Sequence, residues 1–442
     1  MLSRWLGYAC LAYVMLLPVG NNVILVPAIG LLGASSLVVS IIEHHRAARE
    51  VVIVIAGVVL VGIYGAAIGI GNPGVLNGSL VWILAPLIFG CWVLAGNEQS
   101  LRVILRLSAI VTIASSLWVM LYVAIELGKV PEVIPSSALH FVGAGFDHGI
   151  KGSTKILFYG ISTLVATAPM WVTAAILPRH RLLPSKYLTI ITAVLASVAT
   201  LLIGRGALTI LFVAVPVVIW ALWRFLTRKL PRSRWRTWSP LGVVVAFAVA
   251  FALLVSLGNT AVQSAWTRVI TVFTGEGQSV NDHIRAVEAT KLLQAWSREP
   301  IFGHGLGATI PGYARSGTRP WNFELQYHLI LFQVGVLGAL VLLGVLGFAI
   351  YGFVRAAKAR PDMLPVLLVA LAGALAMLIA NATNPYLQAP GNMWPIYFVL
   401  MVINVILVPT IANRGYAPDD GSVSAPVEAT PASSSSTTTP EY

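Results

Sequence analysis

The chain has 442 residues, of which 57% are hydrophobic and only 10% charged, with a formal net charge of +12. A soluble domain is about one-quarter charged, so too few polar residues remain here to cover a water-soluble globule. The basic excess is spread over short loops between apolar runs, so it reports orientation in a membrane and not a nucleic-acid partner.

Taken in chain order, the apolar runs predict an all-α, polytopic transmembrane helical bundle of about twelve spans, because roughly 20 residues at helical rise cross the hydrocarbon and a spanning segment must satisfy its own backbone groups. The runs fall near residues 5–20, 23–42, 51–70, 78–95, 102–126, 156–177, 187–203, 207–223, 239–258, 328–352, 365–381 and 394–412. Asn21 and Asn22 separate the first two, which read either as two spans or as one bent insertion. No small-residue cleavage site follows residues 5–20, so that run is read as an anchor. Cys10 and Cys91 fall within spans and read as small buried hydrophobes.

Alternate short loops carry Arg46 and Arg49; Arg102 and Arg106; Arg179, Arg181 and Lys186; Arg224, Arg228, Lys229, Arg232, Arg234 and Arg236; and Arg355, Lys358 and Arg360. The positive-inside rule makes these loops and both termini cytoplasmic. The chain is thus expected to be multi-pass, with residues 1–412 as one membrane domain; its placement in the inner membrane of a bacterium is an expectation that rests on the resemblance given below. Residues 413–442, rich in Ser, Thr, Pro and Ala, form a disordered tail that cannot bury enough apolar surface to fold.

The longest polar stretch, residues 259–327, is expected on the periplasmic side. An amphipathic helix is predicted to begin near Asp282, capped by Asn281 or Ser279, with Ala286, Ala289, Leu293 and Trp296 as its apolar stripe. Pro300 ends it; a glycine turn (Gly303, Gly305, Gly307) and a polar arm with Arg315, Arg319 and Trp321 follow. The other segments on this side are residues 71–78, 127–155, the turn Gly204-Arg205-Gly206 and residues 383–392.

Arg205 carries the lone charge between Tyr187 and Trp223. It reads as an anion ligand, since a guanidinium matches phosphate oxygens, or as a snorkelling anchor for a turn. Arg285, in the first turn of the loop helix, reads as a second phosphate clamp beside a positive helix end or as a solvated face. Glu324 and His328 are four residues apart and are expected to share a helical face, either of them a general base or an interfacial polar residue. His304 in the glycine turn, Arg315 and Arg319 in the arm, and Lys155 with Lys151 one turn before it are candidate substrate contacts, each with a structural alternative as turn residue, solvated arm or headgroup anchor. His140, Asp147 and His148 lack a third ligand at metal-binding spacing. No G-x-x-x-x-G-K-[ST], H-E-x-x-H, G-x-S-x-G or Asp-x-Asp motif is present.

The run NDHIRAVEATKLLQAWSREPIFGHGLGA followed by FELQYHLILFQVGVLGAL resembles the O-antigen ligase and polymerase family of bacterial membrane proteins. The resemblance is carried by Arg285; by Pro300, Gly303, Gly305 and Gly307; by Glu324; by Gly335 and Gly338; by the segment from Gly204 to Leu208; and by NPYLQAP late in the chain. It covers residues 200–395, the N-terminal half agreeing only in hydropathy. The resemblance implies a metal-independent glycosyltransferase, without cofactor, that acts on undecaprenyl-diphosphate-linked glycan at the periplasmic face beside other polysaccharide assembly proteins. Carried over, Arg205 and Arg285 would bind the diphosphate and Glu324 would be the base. A His-Asn-type pair, usual in ligases before the re-entry span, is replaced here by Glu324 in an E-L-Q-Y context closer to polymerases. The expectation is therefore a polymerase of O-antigen or exopolysaccharide repeat units. The alternatives are a ligase transferring finished glycan to lipid A core or protein and, more remotely, a transporter or flippase.

Overall fold

The computed structural model describes residues 2–126, 128–131, 135–149, 153–203, 205–228 and 280–408. The expected span at 239–258 and the expected tail lie outside the described residues.

In chain order the helices are α1 (Leu2–Leu16), α2 (Asn22–Ile42), α3 (Arg49–Ile68), α4 (Val75–Leu94, with a π turn over Leu80–Leu84), α5 (Glu98–Glu126), α6 (Ser136–Phe141), α7 (Ile161–Ile176), α8 (Lys186–Leu202), α9 (Gly206–Leu226), α10 (Val280–Trp296), α11 (Gln326–Ala359), α12 (Leu364–Ala380) and α13 (Trp394–Leu407). Among the described residues eight helical stretches are long and apolar enough to cross a membrane: α2, α3, α4, α5, α9, α11, and α12 and α13 with the 3-10 turns that lead into them. The helices α1, α7 and α8 are apolar but shorter. The chain is a mostly helical membrane protein on these grounds.

An all-α reading misses one element. Between α6 and α7, strands β1 (Gly145–Gly149) and β2 (Ser153–Leu157) pair antiparallel, with Asp147 opposite Lys155. This hairpin delays the helix expected from residue 156, which begins instead at Ile161.

The interior is built on α7, α12 and α13. The stretches containing α12 and α13 are 78% and 83% buried, and α7 is buried along nearly its whole length. Helix α12 packs on α7, α9 and α13, with Trp171, Trp394 and Phe398 among the largest fully buried side chains. Lipid tails are as apolar as these side chains, so close van der Waals fit holds such helices together more than hydrophobic transfer does.

One end of the bundle gathers the described loops that hold Glu43, Glu98, Arg181 and Arg360, and ion pairs staple helix ends there. Arg4 of α1 bonds Glu43 after α2, Arg355 of α11 bonds the buried Glu50 of α3, and Glu98 of α5 accepts from Arg181 at 2.7 Å and Arg360 at 2.8 Å.

Toward the other end α11 is broken. Gly335 has φ 63° and ψ −169°, values no helix interior adopts. The chain just after α10 enters this break and satisfies it: His304 and Gly305 donate backbone N–H bonds to the carbonyls of Phe332 and Gln333, at 2.9 and 2.8 Å, and Val336 and Leu337 donate to Pro300 and Ile301, at 2.9 and 3.1 Å. Four backbone groups freed by the break, the carbonyls of Phe332 and Gln333 and the N–H groups of Val336 and Leu337, thus find partners, as an apolar environment requires. On its other side the same strand is held by α3 and the turn after it. Leu306 N donates to Gly65 O at 2.8 Å, and the Asn72 amide donates to the carbonyls of His304 and Leu306. Gly305 has φ 81°, and a Cβ there would lie 2.2 Å from Gly69 N. Only glycine permits this wedge between α3 and α11. Residues 336–359 alone rise about 36 Å, enough to cross about 30 Å of hydrocarbon. The turns before the break are therefore surplus to a crossing and carry polar structure instead.

Candidate functional site

Glu324 lies in the irregular segment just before α11. Its Oε1 accepts from Arg315 Nη2 at 2.6 Å and its Oε2 from Arg285 Nε at 3.1 Å. The three side chains are 20–29% exposed, at Arg315 20%, Glu324 27% and Arg285 29%, so two charge-assisted bonds converge on one carboxylate at a half-open surface. Behind them sits Glu288 of α10, whose side chain has no exposure; its Oε1 accepts from Leu325 N at 2.8 Å and its Oε2 lies 3.9 Å from Arg315 Nη1. Burial pushes the Glu288 carboxyl above the usual carboxylate value, against the opposing pull of the Leu325 N–H and of Arg315. Tyr313 stacks on Phe323 with centroids 6.2 Å apart, and burial also raises its phenol, with Glu288 adding to the effect. Leu292, Ala295, Phe323, Leu325, Leu329 and Phe332 form the apolar floor of the cluster.

Three expectations need correction. The buried face of α10 runs through Glu288, Leu292 and Ala295; of the predicted stripe, Ala289 and Trp296 pack partly buried on the same cluster, whereas Ala286 and Leu293 are exposed. The helix is turned by about one residue because the polar arm supplies donors to Glu288, which no hydropathy pattern anticipates. Glu324 and His328 also do not share a helical face. Helix α11 starts at Gln326 and Glu324 precedes it, because Glu288 holds Leu325 N from outside and the two arginines hold the Glu324 side chain. His328 is half-buried on α11 with no hydrogen-bond partner among the described residues. Finally, the re-entering helix extends to Ala359, past the expected end near 352.

Arg205 is the N-cap residue of α9, and its Nη1 donates to the Tyr386 hydroxyl at 3.3 Å. Tyr386 opens the 3-10 turn Tyr386–Gln388 after α12. The Gln388 amide donates at 2.9 Å to Phe323 O and at 2.9 Å to Gln326 Oε1. The turn is pinned from below by the buried Asn381, which accepts from Leu387 N at 3.0 Å, and by the buried Asn392, which donates to Tyr386 O at 2.8 Å. One short turn therefore joins Arg205 to the backbone next to Glu324, and through Glu324 to Arg285 and Arg315.

The remaining candidates fall elsewhere. His304 Nε2 donates to Ala295 O at 2.8 Å, and its ring packs on Phe332 with centroids 4.7 Å apart; this bond ties the glycine strand to the end of α10, so one ring nitrogen is committed to structure. Arg319 is exposed on the arm, outside the pair that converges on Glu324. Lys155 sits on β2 opposite Asp147, apart in sequence and element from the cluster. Among the described residues no group of three or more His, Cys, Asp or Glu side chains is arranged to hold a metal ion.

Sequence reasoning missed Glu288, Tyr386 and Gln388. Glu288 lies three residues after Arg285 on the same helical face, the one signal available for it; the other two sit in the uncharged NPYLQAP segment, marked by the resemblance as a whole but with no residue in it singled out.

Comparison with protein-family models finds no match, and a search of curated proteins finds none.

Proposed function

We propose that this chain is a glycosyltransferase that polymerises undecaprenyl-diphosphate-linked oligosaccharide repeat units, of O-antigen or exopolysaccharide, at the outer face of the bacterial inner membrane. The observation that carries the reading is the convergence of Arg285 and Arg315 on Glu324, joined to Arg205 through the turn Tyr386–Gln388 at the end of the bundle away from the basic loops. A lipid diphosphate approaches from the bilayer, and guanidinium groups at a membrane-proximal surface are suited to its oxygens. The sequence resemblance to O-antigen polymerases supports the same chemistry.

In the reaction, an acceptor hydroxyl oxygen attacks the anomeric carbon of the lipid-linked donor. The bond from that carbon to the diphosphate oxygen breaks, undecaprenyl diphosphate leaves, and the hydroxyl proton passes to Glu324. Arg205 and Arg285 stabilise the charge that develops on the diphosphate. Both Glu324 oxygens are occupied without substrate, so the mechanism includes an exchange. Arg285 moves from Oε2 to the diphosphate, which frees Oε2 to accept the proton, while Arg315 keeps Oε1 in place.

The test is lengthening of a lipid-diphosphate oligosaccharide by the purified, reconstituted chain without added metal. In cells, loss of the protein should leave lipid-linked single repeat units. Accumulation of long lipid-linked chains would instead make it a ligase, and substrate movement without elongation would make it a transporter.

A further inference from the structure

At the basic-loop end, far from the Glu324 cluster in the fold, a groove of about 580 Å³ opens between α3 and α11, lined by Arg49, Glu50, Ile53, Gly347, Tyr351 and Arg355 among others. Its volume lies within the range of about 300–1,000 Å³ usual for small-molecule sites. We infer that it binds one anionic phospholipid of the surrounding bilayer, the phosphate held by Arg49 and Arg355 and an acyl chain lying along the wall made by Gly344 and Gly347.

Three features support this occupant. The first is depth. Gly344, Gly347, Tyr351 and Arg355 follow one face of α11 over about 16 Å of helical rise, which is the thickness of one leaflet, half of about 30 Å. A lipid placed with its headgroup at the arginines would thus reach no further than its own leaflet. The second is space. A Cβ added at Gly344 or Gly347 meets no atom within 4 Å, unlike Gly57 on the facing helix, where a Cβ would lie 2.4 Å from Val345. The glycines that bring α3 and α11 together are filled in, and the two at the groove are open. The third is charge. Arg49 is exposed and has no hydrogen-bond or ion-pair partner among the described residues, and Arg355 is half exposed while its other side bonds Glu50. Two guanidiniums against one buried carboxylate leave a net positive rim, and basic pockets between spanning helices recruit anionic headgroups. The site is distinct from the proposed transfer site and does not depend on that reading.

The experiment is native mass spectrometry of the full chain, purified in a non-ionic detergent and titrated separately with phosphatidylglycerol and phosphatidylcholine. The expected result is one retained phosphatidylglycerol, with weaker retention of phosphatidylcholine. Near an anionic surface each basic residue contributes about 1 kcal/mol, or about fivefold in affinity, so Arg49→Gln should lower phosphatidylglycerol retention about fivefold and that of zwitterionic phosphatidylcholine by less, which narrows the preference. Gly347→Leu, whose Cβ meets no atom within 4 Å and whose side chain extends into the groove, should reduce retention of both lipids. Arg355→Lys keeps the charge facing Glu50 and should retain the preference for the anionic lipid, which separates lost charge from lost fold. Equal retention of the two lipids by the wild-type chain, or an unchanged preference in Arg49→Gln, would overturn the assignment and leave only non-specific annular lipid.

Discussion

The two ends of this bundle use charge differently. At the basic-loop end, acidic side chains at or beside helix ends each face an arginine from another part of the chain: Glu50 with Arg355, Glu43 with Arg4, and Glu98 with Arg181 and Arg360. These pairs join neighbouring elements at helix ends or in the turns beside them. At the other end, Arg285 and Arg315 converge on one carboxylate that sits on irregular backbone, with a second carboxylate buried behind it. That backbone is held in place by a break in α11 and a glycine strand wedged into it. A staple needs no such support, because partners at helix ends find each other when the helices pack. A half-exposed cluster on irregular backbone does need it, and its cost marks the more specialised end of the molecule.

The contrast breaks most visibly at the wedge. Gly305→Ala puts a Cβ 2.2 Å from Gly69 N at φ 81° and should cost about 3 kcal/mol or more, read as a collapse of thermal stability on fluorescence-detected gel filtration. Glu288→Ala comes next. It leaves Arg315 Nη1 and Leu325 N without their carboxylate and should cost about 3 kcal/mol, with proteolysis of the arm 308–325 as the local readout.

Glu288→Gln sharpens the comparison through pH. The carboxyl is raised by burial above its ordinary value of about 4.5. Between that value and the raised one, the folded chain keeps a proton that the unfolded chain releases. Stability therefore falls as pH rises through this window and is greatest below it. The Gln variant cannot titrate, so the difference in melting temperature between it and wild type should change across the window in its favour as pH rises. A constant difference would show that Glu288 does not hold its proton longer in the fold.

A smaller effect is expected at the bridging turn. Tyr386→Phe removes the hydroxyl that accepts from Arg205 and should cost about 1 kcal/mol, seen as a modest fall in transfer rate. Smallest of all, Arg181→Ala removes one exposed partner of Glu98 while Arg360 remains, and should change stability by less than about 1 kcal/mol.

Much of this was legible in the chain itself. Apolar runs placed the eight described helices long enough to cross a membrane, and the isolated charge of Arg205 and the density of charge around Arg285, Arg315 and Glu324 pointed to one region, because a charge on an otherwise apolar chain stands out. Glu288 was not legible as a buried group. Its burial depends on a backbone donor, Leu325 N, 37 residues away, and local patterning instead favoured a stripe through Ala286 and Leu293. The break at Gly335 was hidden for a related reason. A single glycine in an apolar helix is ordinarily tolerated, and only the distant strand Pro300–Gly305 shows why this one leaves the helical conformation. The β1–β2 hairpin was hidden because β1, GFDHG, holds no β-branched residue, and β2, STKIL, is a short segment that runs into an apolar span.

The most direct measurement compares wild type, Arg205→Ala, Arg285→Ala and Arg181→Ala in proteoliposomes supplied with an undecaprenyl-diphosphate oligosaccharide, scoring product length by gel. Wild type and Arg181→Ala should extend the glycan, while the Arg205 and Arg285 variants, folded by gel filtration, should each lose about 100-fold in rate, the size expected when a group stabilising transition-state charge is removed. Extension by both of those variants at the wild-type rate, or no extension by the wild-type chain, would contradict a transfer site built on these arginines.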